Sequence, residues 1–282
     1  MDIVLALVAA LLFALGTVLQ QRAGLEKPVE GASSGLLIQM AKRPVWLLGI
    51  LADAFGFIAQ AAALGIGRLA VVQPLLVASV VFALPLGARL TGQRIRRVDV
   101  GAAFLVVAAL VAFLTIANPS GGRDDAPLDE WLVAIGACIA ICVPLTLLGR
   151  SGPAPRRAAC LGIATGVLFA LSAALTKVVV DELDEGVFEI FLSWHLYALV
   201  AIGYASMTFN QLALNTGALA PAVATSMAFD PITSVVLGVT LLNESLHTTP
   251  FDLIGTVAAL AAALVGMALL ARSQSQAEPV AA

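Results

Sequence analysis

The stretch 11-LLFALGTVLQQ-21 returns, in altered form, as 167-VLFALSAALTK-177. Each is an apolar, helix-length run that closes on polar residues. Two more pairs follow: 63-ALGIGRLA-70 with 213-ALNTGALA-220, and 99-DVGAAFLVVAALVAFL-114 with 252-DLIGTVAALAAALVGMALL-270. All three keep the same order, so the chain reads as two related halves. A repeat of this kind constrains the architecture before any single element is considered.

Composition says what those halves sit in. Of 282 residues, 60% are hydrophobic and 12% charged, and the mean hydropathy is +1.00. Soluble domains are about 25% charged, so a soluble globule is excluded. Apolar runs near 20 residues span a bilayer as helices. Nine such runs are read, over 3–22, 45–66, 69–91, 98–117, 131–149, 158–180, 190–213, 218–242 and 251–271. The fold expected is an all-α polytopic membrane protein. The segment 33–41 is apolar but too short to span, and reads as an interfacial turn of helix.

The halves are 1–118 (spans 1–4) and 157–272 (spans 6–9), with span 5 and its loops, 119–156, as linker and 273–282 as a polar tail. Equivalent spans are five apart, an odd offset, so the halves cross the membrane in opposite senses. Inverted repeats of this type are common in secondary transporters, with the substrate site at mid-membrane between the halves.

Basic residues choose the orientation. Of the 15 lysines and arginines, only Arg68, Arg123 and Lys177 fall on one side. The N-terminus is therefore expected outside and the C-terminus in the cytoplasm of a plasma membrane. The acids Asp124, Asp125, Asp129, Glu130, Asp181, Glu182, Asp184, Glu185 and Glu189 lie in the outer loops. Cys138, Cys142 and Cys160 have no metal spacing and read as packing residues. No P-loop, dinucleotide fingerprint, zinc spacing or Ser-His-Asp set is present, and the two histidines, His195 and His247, make an enzyme a poor reading. No cofactor and no nucleic-acid partner is implied. The partners expected are the lipid bilayer, a small-molecule or cation substrate and a coupling ion. Monomer and homodimer both remain open.

The residues 169-FALSAALTK-177, 218-ALAPAVATSMAFDP-231 and 241-LLNESL-246, with the glycine-spaced last helix of each half, resemble the drug/metabolite transporter superfamily across nearly the whole chain. The nine-span count and 210-NQLALNTGALAPAV-223 are similar to its NIPA-like branch, associated with magnesium transport. The EamA-type branch has ten spans. The resemblance implies a transporter working by alternating access. Glu244 keeps the glutamate that follows a penultimate repeat helix, where the first half has 92-GQR-94. Lys177 keeps the lysine closing a repeat's first helix, where the first half has Gln21.

Within the spans two acids stand out. Asp230 lies in 228-AFDPITS-234, the only charge between Leu219 and Leu242, and Asp53 in 46-WLLGILADAFGFIAQ-60. A carboxylate at bilayer depth costs at least ~2.5–3.5 kcal/mol and faces a cavity or a partner. Both are candidate substrate or ion sites, and metal ligands if the cargo is a cation. Val80 occupies the position matching Asp230, so the repeat does not account for that acid. Gln60 and Asn210 match across the halves, and Gln73, Gln211, Asn215 and Thr225 add polar points that line a path or join helices. Pro231, Pro221 and Pro74 are expected helix breaks. Lys177 either snorkels to headgroups or pairs with an acid or an anionic substrate, and with Glu244 is a candidate gate. His195 reads as packing or as a pH sensor. Gly162 and Gly166 mark a close helix contact. A non-transporting membrane scaffold is the reading from another class.

Overall fold

In a hydrocarbon phase every backbone N–H and C=O must be paired within the protein, so the apolar runs have one solution, the α-helix. The computed structural model describes residues 1–26, 43–92, 95–216, 218–246 and 249–275. In chain order these form α1 (Asp2–Glu26), α2 (Pro44–Ile66), α3 (Leu69–Leu76), α4 (Ala78–Leu90), α5 (Arg97–Ala117), β1 (Ser120–Gly121), α6 (Leu128–Leu148), α7 (Ala154–Glu185), α8 (Val187–Leu192), α9 (Trp194–Leu214), α10 (Leu219–Thr240), β2 (Glu244–Ser245) and α11 (Pro250–Ser275). The expected interfacial turn at 33–41, the residues Lys27, Lys42, Arg94 and His247, and the tail beyond 275 lie outside the described residues.

Among the described residues, eight helical segments are long and apolar enough to cross a membrane. The protein is an all-helical, membrane-embedded polytopic chain. α9, where the seventh span is expected, is a helix of 21 residues that falls outside that group.

Local chemistry sets the element ends. Pro44 opens α2 and Pro250 opens α11, positions where a missing N–H costs nothing. Asp99 accepts the Arg96 N–H at 2.7 Å and Ser193 accepts the His195 N–H at 3.1 Å, each capping a helix start. The third expected span is two helices. Three residues after Pro74 the Val77 N–H turns back to the Pro74 carbonyl at 3.2 Å, and α3 ends. Two expected breaks do not occur. α10 runs continuously through Pro231, and Pro221 falls in its first turn, where no N–H is required. At Pro231 the loss of one bond leaves the rest of the ladder intact. α11 continues to Ser275, past the expected start of the polar tail.

The long helix α7 is the centre of the bundle. It packs on α10, α9 and α6, and more lightly on α2 and α3. Its core residues Ala164, Leu171, Ala174 and Leu175 are fully buried. α1 packs in turn on α2, α3 and α4, while α5 pairs with α11 and α3 with α10. Cys138 and Cys142 are buried free thiols, and the Cys142 Sγ lies 3.7 Å from the Ala164 carbonyl of α7. At one face the loop after α5 meets the loop after α10. β1 and β2 pair antiparallel, Ser120 with Ser245 and Gly121 with Glu244. Gly121 (φ 67°) and Gly122 (φ 111°) supply the left-handed backbone this turn needs.

Two glycines set the α7–α10 seam. A Cβ at Gly166 would lie 2.6 Å from the Ser226 carbonyl and 2.8 Å from the Asp230 nitrogen, and one at Gly162 would lie 2.5 Å from the Ala222 carbonyl. These neighbours are backbone and cannot swing aside, so Gly166→Val is expected to lower stability by about 1–3 kcal/mol through overpacking. Gly136→Val on α6, where nothing lies within 4 Å, is the control and is expected to be neutral. Thermal unfolding of purified protein in detergent checks the pair.

Candidate functional site

Helix starts leave their first N–H groups without intrahelical acceptors, and the connection between α2 and α3 is only Gly67 and Arg68. The acceptor comes from the other half of the chain. Glu244 reaches across from the loop after α10. Its Oε1 accepts the Leu69 N–H at 2.6 Å and its Oε2 the Ala70 N–H at 2.8 Å. A carboxylate on a helix N-terminus also meets the positive end of the helix dipole. Gly238 lets it in, since a Cβ there would collide with the Glu244 carboxylate.

Lys177 binds the other end of the same turn. Its Nζ donates to the Leu64 carbonyl at 3.2 Å, near the end of α2, and pairs with Asp181 at 3.2 Å. It is buried within α7, so of the two expectations the acid pairing is realised and the snorkelling is not. The helix runs on to Glu185 and leaves the lysine inside the bundle. Further bonds close this face. Arg68 Nε donates to the Gly121 carbonyl at 3.0 Å, and Arg123 donates to the Leu241 carbonyl at 2.7 and 3.0 Å and pairs with Glu130. Arg68, Arg123, Lys177 and Glu244 line a polar cavity of ≈ 190 Å³ at this end.

Burial raises the Glu244 carboxyl above the usual glutamate range. The N–H donors of Ala70 and Leu69 and the positive charges of Lys177 and Arg68 oppose that rise in part.

Asp230 lies midway along α10, half-buried, and accepts a hydrogen bond from the fully buried Ser234 hydroxyl at 3.3 Å. α3 runs antiparallel along this helix. A Cβ at Gly238 would lie 3.4 Å from the Ala70 nitrogen, while Met227 packs on the buried cluster built from α1, α4, α5 and α11 together with Val77. Asp230, Ser234 and Gly238 recur every four residues and so share one face of α10. Gln73 is 2% exposed and its Nε2 has no hydrogen-bond partner among the described residues. Every residue from Val223 to Asp230 keeps partial access, whereas buried positions recur from Pro231 onward.

Asp53 sits elsewhere. Gln20 Nε2 donates to its Oδ2 at 2.5 Å, and a Cβ at Gly16 would collide with its carboxylate, so it lies in the α1–α2 seam. The two acids have different partners on different helix contacts. Gln60 and Asn210 are half-buried, and Gln211 and Asn215 are exposed. The Thr225 hydroxyl is turned back on the Pro221 carbonyl at 2.8 Å. The structure gathers neither the amides nor Thr225 around Asp230 through hydrogen bonds.

Sequence reading did not find the partners Gln20 and Ser234. A signal was available: Gly16 and Gln20 share one face of α1, and Gly49, Asp53 and Gly56 share one face of α2. His195 was read alone and is not alone. Its Nδ1 lies 2.7 Å from Glu182 Oε1 and 2.9 Å from Ser193 Oγ, and its Nε2 3.4 Å from Asp125 Oδ1. Trp131 and Trp194 enclose the ring, and Trp131 donates to Asp125 at 2.9 Å. This cluster ties α6 to α7 and α9.

No family model matches the chain, and no solved structure matches it. A protein of Corynebacterium glutamicum described only as uncharacterized is 30% identical over 275 residues, covering 97% of this chain and 95% of that one.

Because its buried pKa is raised, the Glu244 carboxyl binds a proton more readily in the closed clamp than when solvated. Its contribution to stability is full below the ordinary glutamate range and is lost as pH rises through the raised value. Glu244→Gln leaves one N–H facing an amide donor and is expected to cost about 1–3 kcal/mol. The margin of wild type over Glu244→Gln in thermal unfolding is expected to narrow as pH rises through that window.

Proposed function

We propose that this chain, which belongs to the same family as the uncharacterized Corynebacterium glutamicum protein, is a secondary transporter of the drug/metabolite type that its motifs resemble. It moves a small solute across the plasma membrane by alternating access between two opposed halves, α1–α5 and α7–α11. α6 is the linker. α9 is the seventh of the nine spans, about 32 Å long at 1.5 Å per residue, which is sufficient for a bilayer. The N-terminus lies outside, the C-terminus in the cytoplasm, and the Glu244 clamp on the outer face.

Helix packing supports the repeat. α1 lies on α2 and on α3–α4 as α7 lies on α9 and on α10, and the halves meet along α5–α11 and α3–α10. The observation that carries the reading is where the halves are bonded. Glu244 and Lys177 bond the halves at one face, while α10 keeps partial access from Val223 to Asp230. That is the layout of a transporter closed outside, with a carboxylate at the end of its inner path. Among the described residues no three acidic, histidine or cysteine side chains gather to hold a metal ion. We place a small organic solute, with Asp230 as the binding or coupling carboxylate, ahead of a divalent cation such as Mg²⁺.

Proteoliposomes loaded with amines, small metabolites or Mg²⁺ test the proposal. Asp230→Asn is expected to lower uptake or efflux roughly tenfold or more, the loss of one charge-assisted contact, with folding unchanged. Parent vesicles that move none of these cargoes would leave a membrane scaffold as the reading. A fully active Asp230→Asn would remove the aspartate from the mechanism.

A further inference from the structure

By the alignment of 63–70 with 213–220, α2 and α9 hold matching places in the chain. Each turns one face away from the bundle. On α2 that face carries Leu47, Ile50, Ala54 and Phe57, all exposed and all apolar, as contact with lipid tails asks. On α9 the same positions are Tyr197, Val200, Tyr204 and Met207, also exposed, and the exposed Gln211 follows one turn later. The two faces agree in place and differ in chemistry.

Tyr204 marks the difference most sharply. It is 77% exposed at the middle of α9, and among the described residues its hydroxyl has no hydrogen-bond partner. Tyr197, near the helix start, donates instead to the Phe191 carbonyl at 2.9 Å. With α9 as a span, Tyr204 lies at mid-membrane, roughly 15 Å from either helix end at 1.5 Å per residue. A phenol cannot reach water from there, and lipid tails offer its hydroxyl nothing, so the side chain needs protein against it.

The spacing says which protein. Positions 197, 200, 204, 207 and 211 step by three and four, the a/d seam of a parallel helix pair. Such a seam sets each residue against its own copy when the two helices are related by a two-fold axis. A hydroxyl both donates and accepts, and so does an amide, so Tyr204 and Gln211 are each complementary to themselves. We propose that two copies of this chain pair side by side in the membrane through α9, with Tyr204 at the centre of the seam. The pairing rests on α9 being the span assigned above, whatever the chain moves.

Gly203 supports it independently. A ring at Tyr204 enters a hole bounded by residues 200, 203, 204 and 207 of the second copy. Glycine at 203 leaves that hole wide enough for a phenol. The chain's own packing does not ask for glycine there, since a Cβ would meet nothing nearer than the Ser172 Oγ at 3.9 Å, and glycine weakens a helix interior.

Single cysteines read the seam in native membranes, in a chain with Cys138, Cys142 and Cys160 replaced by alanine. Val200→Cys and Met207→Cys stand at the d positions, within disulfide reach of their copies, and are expected to cross-link into dimers under copper phenanthroline. Ile50→Cys, on the matching face of α2, is expected not to. Single-molecule photobleaching of purified protein in liposomes, diluted with lipid, reads the affinity. Tyr204→Phe is expected to weaken the dimer roughly threefold, the loss of one hydrogen bond in a membrane. Gly203→Leu is expected to weaken it about tenfold or more by filling the hole, and Tyr204→Phe, which keeps the ring, decides the matter if that variant does not fold. The inference is overturned if the chain is a monomer at every dilution, which leaves the face to lipid. It is overturned equally if Ile50→Cys cross-links as fast as Val200→Cys, or if Tyr204→Phe leaves the dimer unchanged. Labelling of Val200→Cys by a membrane-impermeant maleimide would overturn it by a separate route, taking α9 out of the bilayer.

Discussion

Everything at the Glu244 face depends on the backbone N–H groups that begin α3. α2 and α3 are joined by two residues, which leaves no loop to solvate that helix start and no local side chain to cap it. An unpaired N–H in such a place carries a desolvation cost of about 1–3 kcal/mol. Glu244, 174 and 175 residues away in sequence, supplies both acceptors. Bringing it there requires the loop after α10 to lie over the loop after α5, which is what the β1–β2 pair and the Arg123 bonds to Leu241 achieve. Lys177 then binds the carbonyl end of the same connection. One short turn in the first half thus organises the interface with the second.

Close approach of helices is the second requirement, and glycine meets it. In lipid there is no hydrophobic drive between apolar helices, so packing depends on fit. Gly162 and Gly166 let the backbone of α10 rest on α7, and Gly16, Gly49 and Gly56 do the same for α1 and α2. Asp230 and Asp53 sit within these seams. The charge of each is therefore coupled to helix spacing: Asp230 follows the α7–α10 contact directly through its own backbone nitrogen beside Gly166.

The sequence was legible where physics is local. The apolar runs coincide with helices to within a few residues, except where Pro74 splits the third run and where α7 and α11 extend past their apolar cores into polar residues. Gly162 and Gly166 were legible as a contact because small residues at that spacing leave room for little else. Lys177 and Glu244 were legible as departures from apolar surroundings, but their partners were not, since a carbonyl or an N–H exposed at a helix end carries no residue-type signature. Pro231 and Pro221 suggested breaks that the helix absorbs. His195 looked isolated because Glu182 and Asp125 reach it from other elements.

Composition and run length by themselves determined that this chain is a bundle of membrane-spanning helices, because a hydrocarbon solvent admits one backbone solution for such runs. Only the tertiary structure decided which helices meet, that Asp53 belongs to the α1–α2 seam and Asp230 lies beside Gly166 in the α7–α10 seam, and that Glu244 bonds the start of α3. Those facts depend on pairings between residues far apart in the chain. Their energies come from the geometry of approach, which no residue carries alone.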